Sequence, residues 1–540
     1  MKDRSLPLHE IVSRIVAPEP DISQRSIWGG LGTMQKLNQR LVKQPTLDFI
    51  NYNLRGIGQV IFVNNPLSGL LILLALLIQS PWIGLMSLLG VISSTVTAIA
   101  LKLDRETIRN GIYGYNGILV GAALATFGSS GNGNWSLAWA LAIVVLSALT
   151  TIMMKTFGVW WASTFKSPPL TLPFNLVTLL FLSLITSIPQ SLFQLGTPTV
   201  PTTSLQLNFN QLLTALPIGF GQVFLADKII VGSLILLAVA LCTPLGAFVG
   251  LLGAISGILI GLAIGIIPAD IYAGLWGYNS VLAAMAIGGV FYAPNWLSLL
   301  AGLACALLCA LIIPVLTLIA KLWRLPVLTL PFCLVTIGFF VLLRRSLPSL
   351  VPVALHAVTS PEEHRQRYLT AKEIISNFRR QLTAAINGQE TNSLFTQATD
   401  SVKGDLRYIY DAIDADRSGE LSTQELAAYL VKANQITSQD ELVYLFNCMD
   451  KDKNGAIDFQ EFGELMLRHR RLMNKYEAFT TYFLPIDANK DNLISISEMN
   501  VAMNSVREKA LSQEEVDFLQ RQIGKQSLTW NQFIELLLLT

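Results

Sequence analysis

Apolar residues dominate the chain between Gln59 and Leu343 and group into runs of roughly 17 to 25 residues. A helix of about 20 apolar residues spans the hydrocarbon core of a bilayer, so each run is long enough to cross a membrane. About ten such runs occur, at 59–79, 82–101, 112–128, 136–154, 170–188, 213–239, 241–266, 271–291, 296–320 and 327–343. The pattern predicts an all-α, polytopic membrane section.

The ten runs form two groups of five with related sequences. GIGQVIFV from Gly56 aligns with GFGQVFLA from Gly219 at an offset of 163 residues, and GIYGYNG aligns with GLWGYNS at the same offset. A third pair, LTLPFNLVT from Leu170 and LTLPFCLVT from Leu328, recurs at an offset of 158. Because five is odd, the second half should enter the membrane with the opposite orientation. The sequence therefore predicts two inverted homologous halves, with a substrate path between them near the mid-plane.

The chain becomes charged after Arg344, and from Ser401 onward short amphipathic helices flank acidic loops. Three loops have EF-hand spacing, with oxygen-bearing residues at positions 1, 3, 5 and 9, a turn residue at 6, a backbone carbonyl at 7 and Glu at 12. The predicted calcium ligands are Asp414, Asp416, Ser418, Glu420, Ser422 and Glu425, then Asp450, Asp452, Asn454, Ala456, Asp458 and Glu461, then Asp487, Asn489, Asp491, Leu493, Ser495 and Glu498. Loop spacings of 36 and 37 residues favour calcium sites over a merely acidic surface.

The third and fourth repeats of this region depart from the full pattern. Asn492 replaces the turn Gly of the third loop, and Asn tolerates the left-handed conformation that the turn needs. The fourth repeat, KQSLTWNQFIELLLL, has no acidic ligands and carries Gln532 where Glu is required. We expect it to pair with the third repeat without binding calcium.

Composition supports a membrane section joined to a soluble one. The chain is 52% hydrophobic and 14% charged, with a mean hydropathy of +0.50, which excludes an ordinary soluble enzyme. From Ser401 onward there are 15 Lys and Arg against 22 Asp and Glu, whereas the preceding residues have 23 against 14. The sequence predicts five parts. They are an N-terminal cytoplasmic segment (1–55), a first membrane repeat (56–200), a second membrane repeat (201–346), a juxtamembrane helical linker (347–400) and an EF-hand calcium-binding domain (401–540).

Motifs of other protein classes are not found in the sequence. The cysteines have no CxxC spacing, the four histidines have no ligand spacing, and there is no Walker loop, nucleophile elbow or HExxH. The first 55 residues contain no cleavable signal peptide. We expect a multi-pass protein of the cell (plasma or inner) membrane, with a lipid bilayer around it, a cytoplasmic EF-hand domain, Ca²⁺ as its cofactor and no nucleic-acid partner.

Several separated motifs resemble the urea transporter family over roughly residues 30 to 375: GQVIFVNNPLSG, GLWGYNSVLAAMAIGG, the two LTLPF elements and VTSPEEHRQRYLTAKE. The resemblance implies passive, channel-like transport of urea by a homotrimer. Each subunit would then have its own narrow pore along the pseudo-two-fold axis between the halves.

The same resemblance implies which residues bind substrate: Gln59, Val60, Phe62, Tyr115, Thr171, Gln222, Val223, Leu225, Tyr278 and Thr329. The two Gln would belong to a ladder of acceptor oxygens. Val60, Phe62 and their counterparts Val223 and Leu225 would line the outer slot. The two Thr would lie at the central constriction, and the two Tyr would replace the usual Phe at the inner slot, which bears on strict urea preference.

Elementary chemistry agrees with such a pore. Urea is flat and neutral and has four N–H donors in one plane, so a dry pore must replace the water at those donors. Gln and Thr oxygens along one edge do so, while apolar faces accept the flat sides. The alternative for these Gln and Thr residues is helix-to-helix hydrogen bonding, and for the Tyr residues interhelical packing or an interfacial position.

Other functions remain open from the residues alone. The pore could carry another small neutral amide or ammonia, or the membrane section could anchor a calcium sensor or scaffold. Asp227 and Lys228 could couple transport to ions, or form a pair at a helix end near water. Calcium could dock the EF-hand domain on the linker, where Leu369, Ile374, Ile375, Phe378 and Leu382 recur at helical spacing.

Overall fold

The structure is a computed structural model of the 540-residue chain. It describes residues 31–128, 135–165, 167–186, 193, 195, 207–346, 350, 353, 359–388, 394–432, 446, 450, 452–467, 493–506, 508–523 and 527–529. The chain divides into two compact units, one within Ser26–Gln366 and one within Arg367–Thr540. They are called the membrane unit and the C-terminal unit below.

The described part of the membrane unit is helical, and its helices follow the same order in both halves. The first half contains α1 (Gln35–Leu41), α2 (Pro45–Gln59), α3 (Pro66–Gln79), α4 (Pro81–Ala100), α5 (Arg105–Arg109), α6 (Tyr115–Gly128), α7 (Leu137–Phe165) and α8 (Leu172–Thr186). The second half contains α9 (Phe209–Gln222), α10 (Ile229–Cys242), α11 (Pro244–Ala263), α12 (Pro268–Tyr272), α13 (Tyr278–Met285), a π-helical turn (Ala286–Val290), α14 (Trp296–Leu322) and α15 (Leu330–Ser346).

Helices α4, α7, α11 and α14 are long and apolar enough to cross a membrane. Six shorter apolar segments of 10 to 17 residues accompany them. The structure therefore confirms a helical membrane protein and shows that the apolar runs differ in helix length.

Two predicted spans, 59–79 and 213–239, are each interrupted in the structure. In the first, α2 ends at Gln59 and α3 begins at Pro66, because Phe62 has a left-handed backbone (φ 61°) and the Asn65 side chain accepts the N–H groups that begin α3. In the second, Leu225 has the matching φ of 59°. The polar residues of the repeated motifs, Asn64 and Asn65 in the first half and Asp227 and Lys228 in the second, lie at these interruptions.

Small residues allow the helices of each half to pack closely. A Cβ atom on Gly90 of α4 would overlap the carbonyl oxygen of Gly117 in α6, and one on Gly253 of α11 would overlap the carbonyl oxygen of Ser280 in α13. The two contacts are equivalent at the offset of 163 residues. Backbone-to-backbone approach of this kind is typical of helices packed within membranes.

The described residues of the C-terminal unit form short helices, the first two EF-hand loops and one pair of short strands. Its elements are α16 (Pro361–Ile386, which begins in the membrane unit), α17 (Leu394–Gln397), α18 (Asp400–Ile413), α19 (Thr423–Lys432), helical residues 459–467, β1 (Leu493–Ser495), α20 (Ile496–Ser505), α21 (Gln513–Ile523) and β2 (Ser527–Thr529). Residues 394–467 are called the first lobe and residues 493–529 the second lobe.

Candidate functional site

The two predicted glutamines lie at equivalent helix ends and make equivalent hydrogen bonds. Gln59 Nε2 donates to the carbonyl oxygen of Asn110 at 3.0 Å, and Gln222 Nε2 donates to that of Ala273 at 2.8 Å. A carbonyl can only accept, so these contacts fix the orientation of each side-chain amide. Both Oε1 atoms are therefore turned away from the carbonyls and can serve as acceptors for an N–H donor.

The two predicted threonines meet in the structure. Thr171 Oγ1 and Thr329 Oγ1 lie 2.7 Å apart, although they are 158 residues apart in sequence. Both side chains are buried, with 4% and 3% exposure. The repeated LTLPF elements of the two halves thus join at one buried pair of hydroxyls.

Two residues that the sequence reasoning did not select complete this cluster. Asn175 Nδ2 donates to Thr329 Oγ1 and to the carbonyl oxygen of Thr171, both at 2.8 Å, and Asn175 Oδ1 accepts the backbone N–H of Thr329. Cys333 Sγ lies 3.1 Å from Thr171 Oγ1. Each lies four residues after a Thr, so the i to i+4 spacing within TLPFN and TLPFC would have indicated them.

The tyrosine hydroxyls bind the protein itself. Tyr115 Oη donates to the carbonyl oxygen of Leu170 at 2.8 Å, and Tyr278 Oη donates to that of Leu328 at 2.5 Å. Leu170 and Leu328 immediately precede the two threonines. These hydrogen bonds use the polar end of each Tyr to fix the LTLPF backbone.

The predicted apolar residues differ in exposure. Val60 and Val223 are buried in the core. Phe62 is half-buried and makes edge contacts with the rings of Phe291 and Phe332, at centroid distances of 5.7 and 6.1 Å. Leu225, its counterpart, is half-buried as well. Of these two equivalent positions, the one occupied by Phe62 makes aromatic ring contacts and the one occupied by Leu225 does not.

Asp227 and Lys228 bind the last turn of α3 in the other half. Asp227 Oδ1 accepts from Gln79 Nε2 at 2.7 Å, and Lys228 Nζ donates to the carbonyl oxygens of Ile78 and Gln79 at 3.0 and 2.7 Å. Both charged side chains are exposed. A cation at a helix C-terminus is favourable, so this geometry favours a helix-end pair.

A different contact occurs at the matching end of α10. There the N–H groups of Leu31 and Gly32 donate to the carbonyl oxygens of Leu241 and Cys242, at 2.6 and 3.2 Å. Asn65, the counterpart of Lys228, donates through Nδ2 to the carbonyl oxygen of Gly32. Residues 31–32 thus supply the donors that Lys228 supplies in the other half.

The first two EF-hand loops have the geometry of calcium sites. Carboxylate oxygens of Asp414, Asp416 and Glu425 lie within 4.8 Å of one another, as do those of Asp450, Asp452 and Glu461. The turn glycines Gly419 and Gly455 have φ values of 86° and 85°, as position 6 requires. These converging oxygens are the donor set that Ca²⁺ prefers.

The remaining predicted ligands lie on the same two loops. Ser418 Oγ, Glu420, Ser422, Asn454, Ala456 and Asp458 belong to the same two loops, and the loops pair through backbone hydrogen bonds between Leu421 and Ile457 at 2.9 and 3.0 Å. Of the third loop, Asp487, Asn489 and Asp491 lie outside the described residues. Ser495 and Glu498 form a capping box at α20, which follows Leu493 and Ser495 of β1.

The fourth repeat pairs with the third, as its apolar frame predicts. Strand β1 runs antiparallel to β2, with Ile494 opposite Leu528. The second lobe thus has paired strands even though the fourth repeat has no acidic ligands.

Hydrogen bonds adjust the ionisation of groups around the first loop. The Ser418 hydroxyl and backbone N–H lower the pKa of Asp416, and the Ser422 backbone N–H and hydroxyl lower the pKa of Glu425. Burial, together with nearby Asp414, raises the pKa of Tyr410 to about 12. The carboxylates are therefore ionised and the Tyr is neutral at physiological pH.

Most of helix α16 packs on the second lobe within the C-terminal unit. Its buried stripe is Ala371, Ile375, Phe378 and Leu382. Arg379 Nε lies 3.3 Å from Glu515 Oε1, and Arg379 Nη2 donates to the carbonyl oxygen of Lys509 at 2.5 Å. Leu369, which the apolar pattern included, is 52% exposed, and Ile374 is half-buried.

The first turn of α16 binds within the membrane unit. Glu362 Oε1 accepts the N–H of Leu245 in the first turn of α11 at 2.7 Å, and Glu363 Oε1 accepts from Thr33 Oγ1 at 3.0 Å. The carbonyl oxygen of Thr33 in turn accepts from Arg55 Nη1 at 2.7 Å. Arg55 is fully buried and lies one turn before Gln59 in α2.

Known proteins resemble this chain in both parts. The family described as urea transporter matches residues 50–344, and the EF-hand domain pair matches residues 403–467. Urea transporter 1 of Rattus norvegicus is 37% identical over 349 residues, which cover 63% of this chain and 89% of that protein. Urea transporter 1 of Ovis aries is 38% identical over 343 residues, with 63% and 88% covered. Urea transporter 1 of Mus musculus is 36% identical over 353 residues, with 63% and 89% covered.

Proposed function

Because the chain belongs to the urea transporter family, we propose that its membrane unit conducts urea passively through a narrow neutral pore. The hydrogen bonds of the two glutamines support this proposal most directly. The amide nitrogens of Gln59 and Gln222 donate to equivalent backbone carbonyls, which leaves the Oε1 atom of each Gln able to accept an N–H of urea. Family membership also excludes an enzymatic role, since urea transporters are passive transporters.

The proposed path offers urea hydrogen-bond acceptors without any charge. The Gln oxygens would receive urea N–H groups on entry, and the paired hydroxyls of Thr171 and Thr329 would receive them at the constriction. Apolar side chains such as Val60 and Phe62 exclude water from the flat faces of the substrate. Ions face a far larger desolvation cost in such a path and should be rejected.

Ion coupling is not required by this geometry. Asp227 and Lys228 are engaged with Gln79 and the end of α3, and both are exposed. A coupling site would instead need ionisable groups within the substrate path.

Stopped-flow light scattering on proteoliposomes tests the proposed transport. The full-length protein should pass urea down its gradient at the same rate whether or not sodium and proton gradients are present. Flux that stops when the ion gradients collapse would refute passive transport. Comparison with formamide and ammonia tests the alternative substrates, because a pore that passes these but not urea has another function.

We further propose that the chain assembles as a homotrimer of inverted-repeat subunits with a cytoplasmic EF-hand domain. The shared helix order of the two halves and the odd number of apolar runs in each support the inversion. Light scattering with refractive index detection in detergent would give the mass of the assembly, and protease access in oriented vesicles would place the C-terminal unit.

Calcium binding in the first lobe is the second proposed activity. The donor sets of the first two loops fit Ca²⁺, which would supply a positive charge that draws the loop oxygens together. Titration of the full-length protein by isothermal calorimetry should detect at least two sites.

We propose that calcium acts on the pore through helix α16. This helix continues from Glu362 and Glu363, which bind within the membrane unit, to Phe378 and Leu382, which pack on the second lobe. A change in how the C-terminal unit binds α16 would therefore act on Glu363. Thr33 and Arg55 connect Glu363 with the helix that carries Gln59.

Two measurements test this regulation together. Hydrogen exchange across residues 362–385 and urea flux are compared with calcium and with chelator. Both should change in the wild type. Glu363→Gln keeps the side-chain size but removes the charge that binds Thr33, so it should keep calcium binding and lose the effect of calcium on flux.

The exposed Arg380 offers a matched control on the same helix. Arg380→Gln removes one charge at a position that does not contact Thr33, so it should leave the calcium response intact. Unchanged exchange together with unchanged flux in the wild type would mean that the domain buffers calcium or recruits another protein.

A further inference from the structure

Each LTLPF element contains a residue in an unfavourable backbone conformation just before its Thr. Leu170 has a φ of 52° and Leu328 a φ of 50°. The left-handed region is costly for residues with a Cβ, and it persists only where the surroundings impose it. Neighbouring groups must therefore hold both leucines in place.

The repeated Tyr-Asn dipeptide supplies the groups that hold the first element. Tyr115 Oη donates to the carbonyl oxygen of Leu170 at 2.8 Å, and Asn116 Oδ1 accepts the N–H of Phe174 at 3.2 Å. The two contacts lie on either side of Thr171. Adjacent residues at the start of α6 thus bind one backbone segment at two points.

The second half repeats this arrangement and adds one bond. Tyr278 Oη donates to the carbonyl oxygen of Leu328 at 2.5 Å, and Asn279 Oδ1 accepts the N–H of Phe332 at 3.3 Å. Asn279 Nδ2 also donates to the carbonyl oxygen of Leu328, at 3.3 Å.

No such bond is made by Asn116 Nδ2, which has no hydrogen-bond partner among the described residues. Leu170 therefore depends on its Tyr more than Leu328 does. Because the two halves differ in this one hydrogen bond, removing the hydroxyl of Tyr115 should have a larger effect than removing that of Tyr278.

We propose that Tyr115–Asn116 and Tyr278–Asn279 are two-point clamps that position Thr171 and Thr329 and thereby set which small amides pass the constriction. The inference rests on the proposed urea pathway. The tyrosine hydroxyls are positioning groups: they act on the substrate through the threonines. A loosened LTLPF segment lets the Thr hydroxyls separate, so bulkier amides gain more than urea does.

Tyr-to-Phe substitutions test the clamps with little change in shape. Urea and N-methylurea permeabilities are measured by stopped-flow on proteoliposomes containing full-length wild type, Tyr115→Phe or Tyr278→Phe. We expect Tyr115→Phe to raise the ratio of N-methylurea to urea permeability by about fivefold, which corresponds to the loss of one typical hydrogen bond. Tyr278→Phe should raise the ratio less, because Asn279 still binds Leu328.

Tyr113, in the same GIYGYNG motif, provides the control. Its hydroxyl makes no hydrogen bond in the part of the chain that the structure describes, so Tyr113→Phe should leave the ratio unchanged. A ratio in Tyr115→Phe equal to that in Tyr113→Phe, with a lower melting temperature, would show that the clamp only stabilises the fold and would overturn the inference. A larger effect of Tyr278→Phe would overturn the assigned role of Asn279. Wild type that passes no urea would instead refute the proposed function.

Discussion

Replacing Thr329 with Val is the sharpest perturbation of the proposed constriction. Val keeps the volume and the β-branch but removes Oγ1, which lies 2.7 Å from Thr171 Oγ1 and accepts from Asn175 Nδ2 at 2.8 Å. Asn175 Nδ2 keeps its second acceptor, the carbonyl oxygen of Thr171. The other N–H of Asn175 still has Cys333 Sγ at 3.7 Å, and Thr171 Oγ1 keeps Cys333 Sγ at 3.1 Å, so we expect the protein to fold.

The expected size of the effect follows from one missing acceptor. A urea N–H that crosses a buried site without a partner costs about 1 to 3 kcal/mol. Each 1.36 kcal/mol in a barrier changes a rate about tenfold. Thr329→Val should therefore lower urea permeability about 5- to 150-fold.

Stopped-flow on proteoliposomes measures this loss against two buried threonines outside the cluster. Thr178 Oγ1 has no hydrogen-bond partner among the described residues, and Thr336 Oγ1 has a long contact of 3.8 Å to Cys305 Sγ. Thr178→Val and Thr336→Val should change permeability less than twofold. If either control were the damaging substitution, or if Thr329→Val were harmless, the positions of the constriction would be wrong.

Three further predictions concern calcium binding, helix ends and helix packing. Glu425→Gln and Glu461→Gln should each weaken calcium binding about tenfold or more in calorimetry of the full-length protein, because position 12 supplies two oxygens. Lys228→Met should lower the melting temperature and reduce the free energy of unfolding by about 1 kcal/mol, because the end of α3 loses its cation. Urea flux in this variant should remain independent of ion gradients. Gly90→Ala should prevent accumulation of folded protein on size-exclusion chromatography, whereas Gly338→Ala, which has open space around it, should not.

The calcium loops were predictable because their ligands follow a fixed spacing. An EF-hand loop brings its own ligands together over twelve residues, so Asp414 and Glu425 converge whatever the rest of the chain does. Thr171 and Thr329 were selected for another reason, since both belong to LTLPF elements that recur in the two halves and resemble those of the urea transporter family. Their direct contact was not part of that prediction.

Contacts that depend on side-chain direction were not predictable from spacing. The tyrosine hydroxyls could have faced the substrate, and only the structure shows them on Leu170 and Leu328. Asn175 and Cys333 differ between the two halves, so comparison of the repeats did not single them out, although each lies four residues after its Thr. In α16 the apolar pattern included Leu369, but Leu369 is exposed and Ala371, two residues later, is buried.

The matched ends of α3 and α10 show how duplicated halves can come to differ at equivalent positions. Two equivalent halves alone would have helix ends that are chemically alike. Lys228 binds one helix end from within the repeat, whereas residues 31–32 bind the other from the segment that precedes it. The second helix end thereby depends on a segment that can change in sequence without disturbing the repeat.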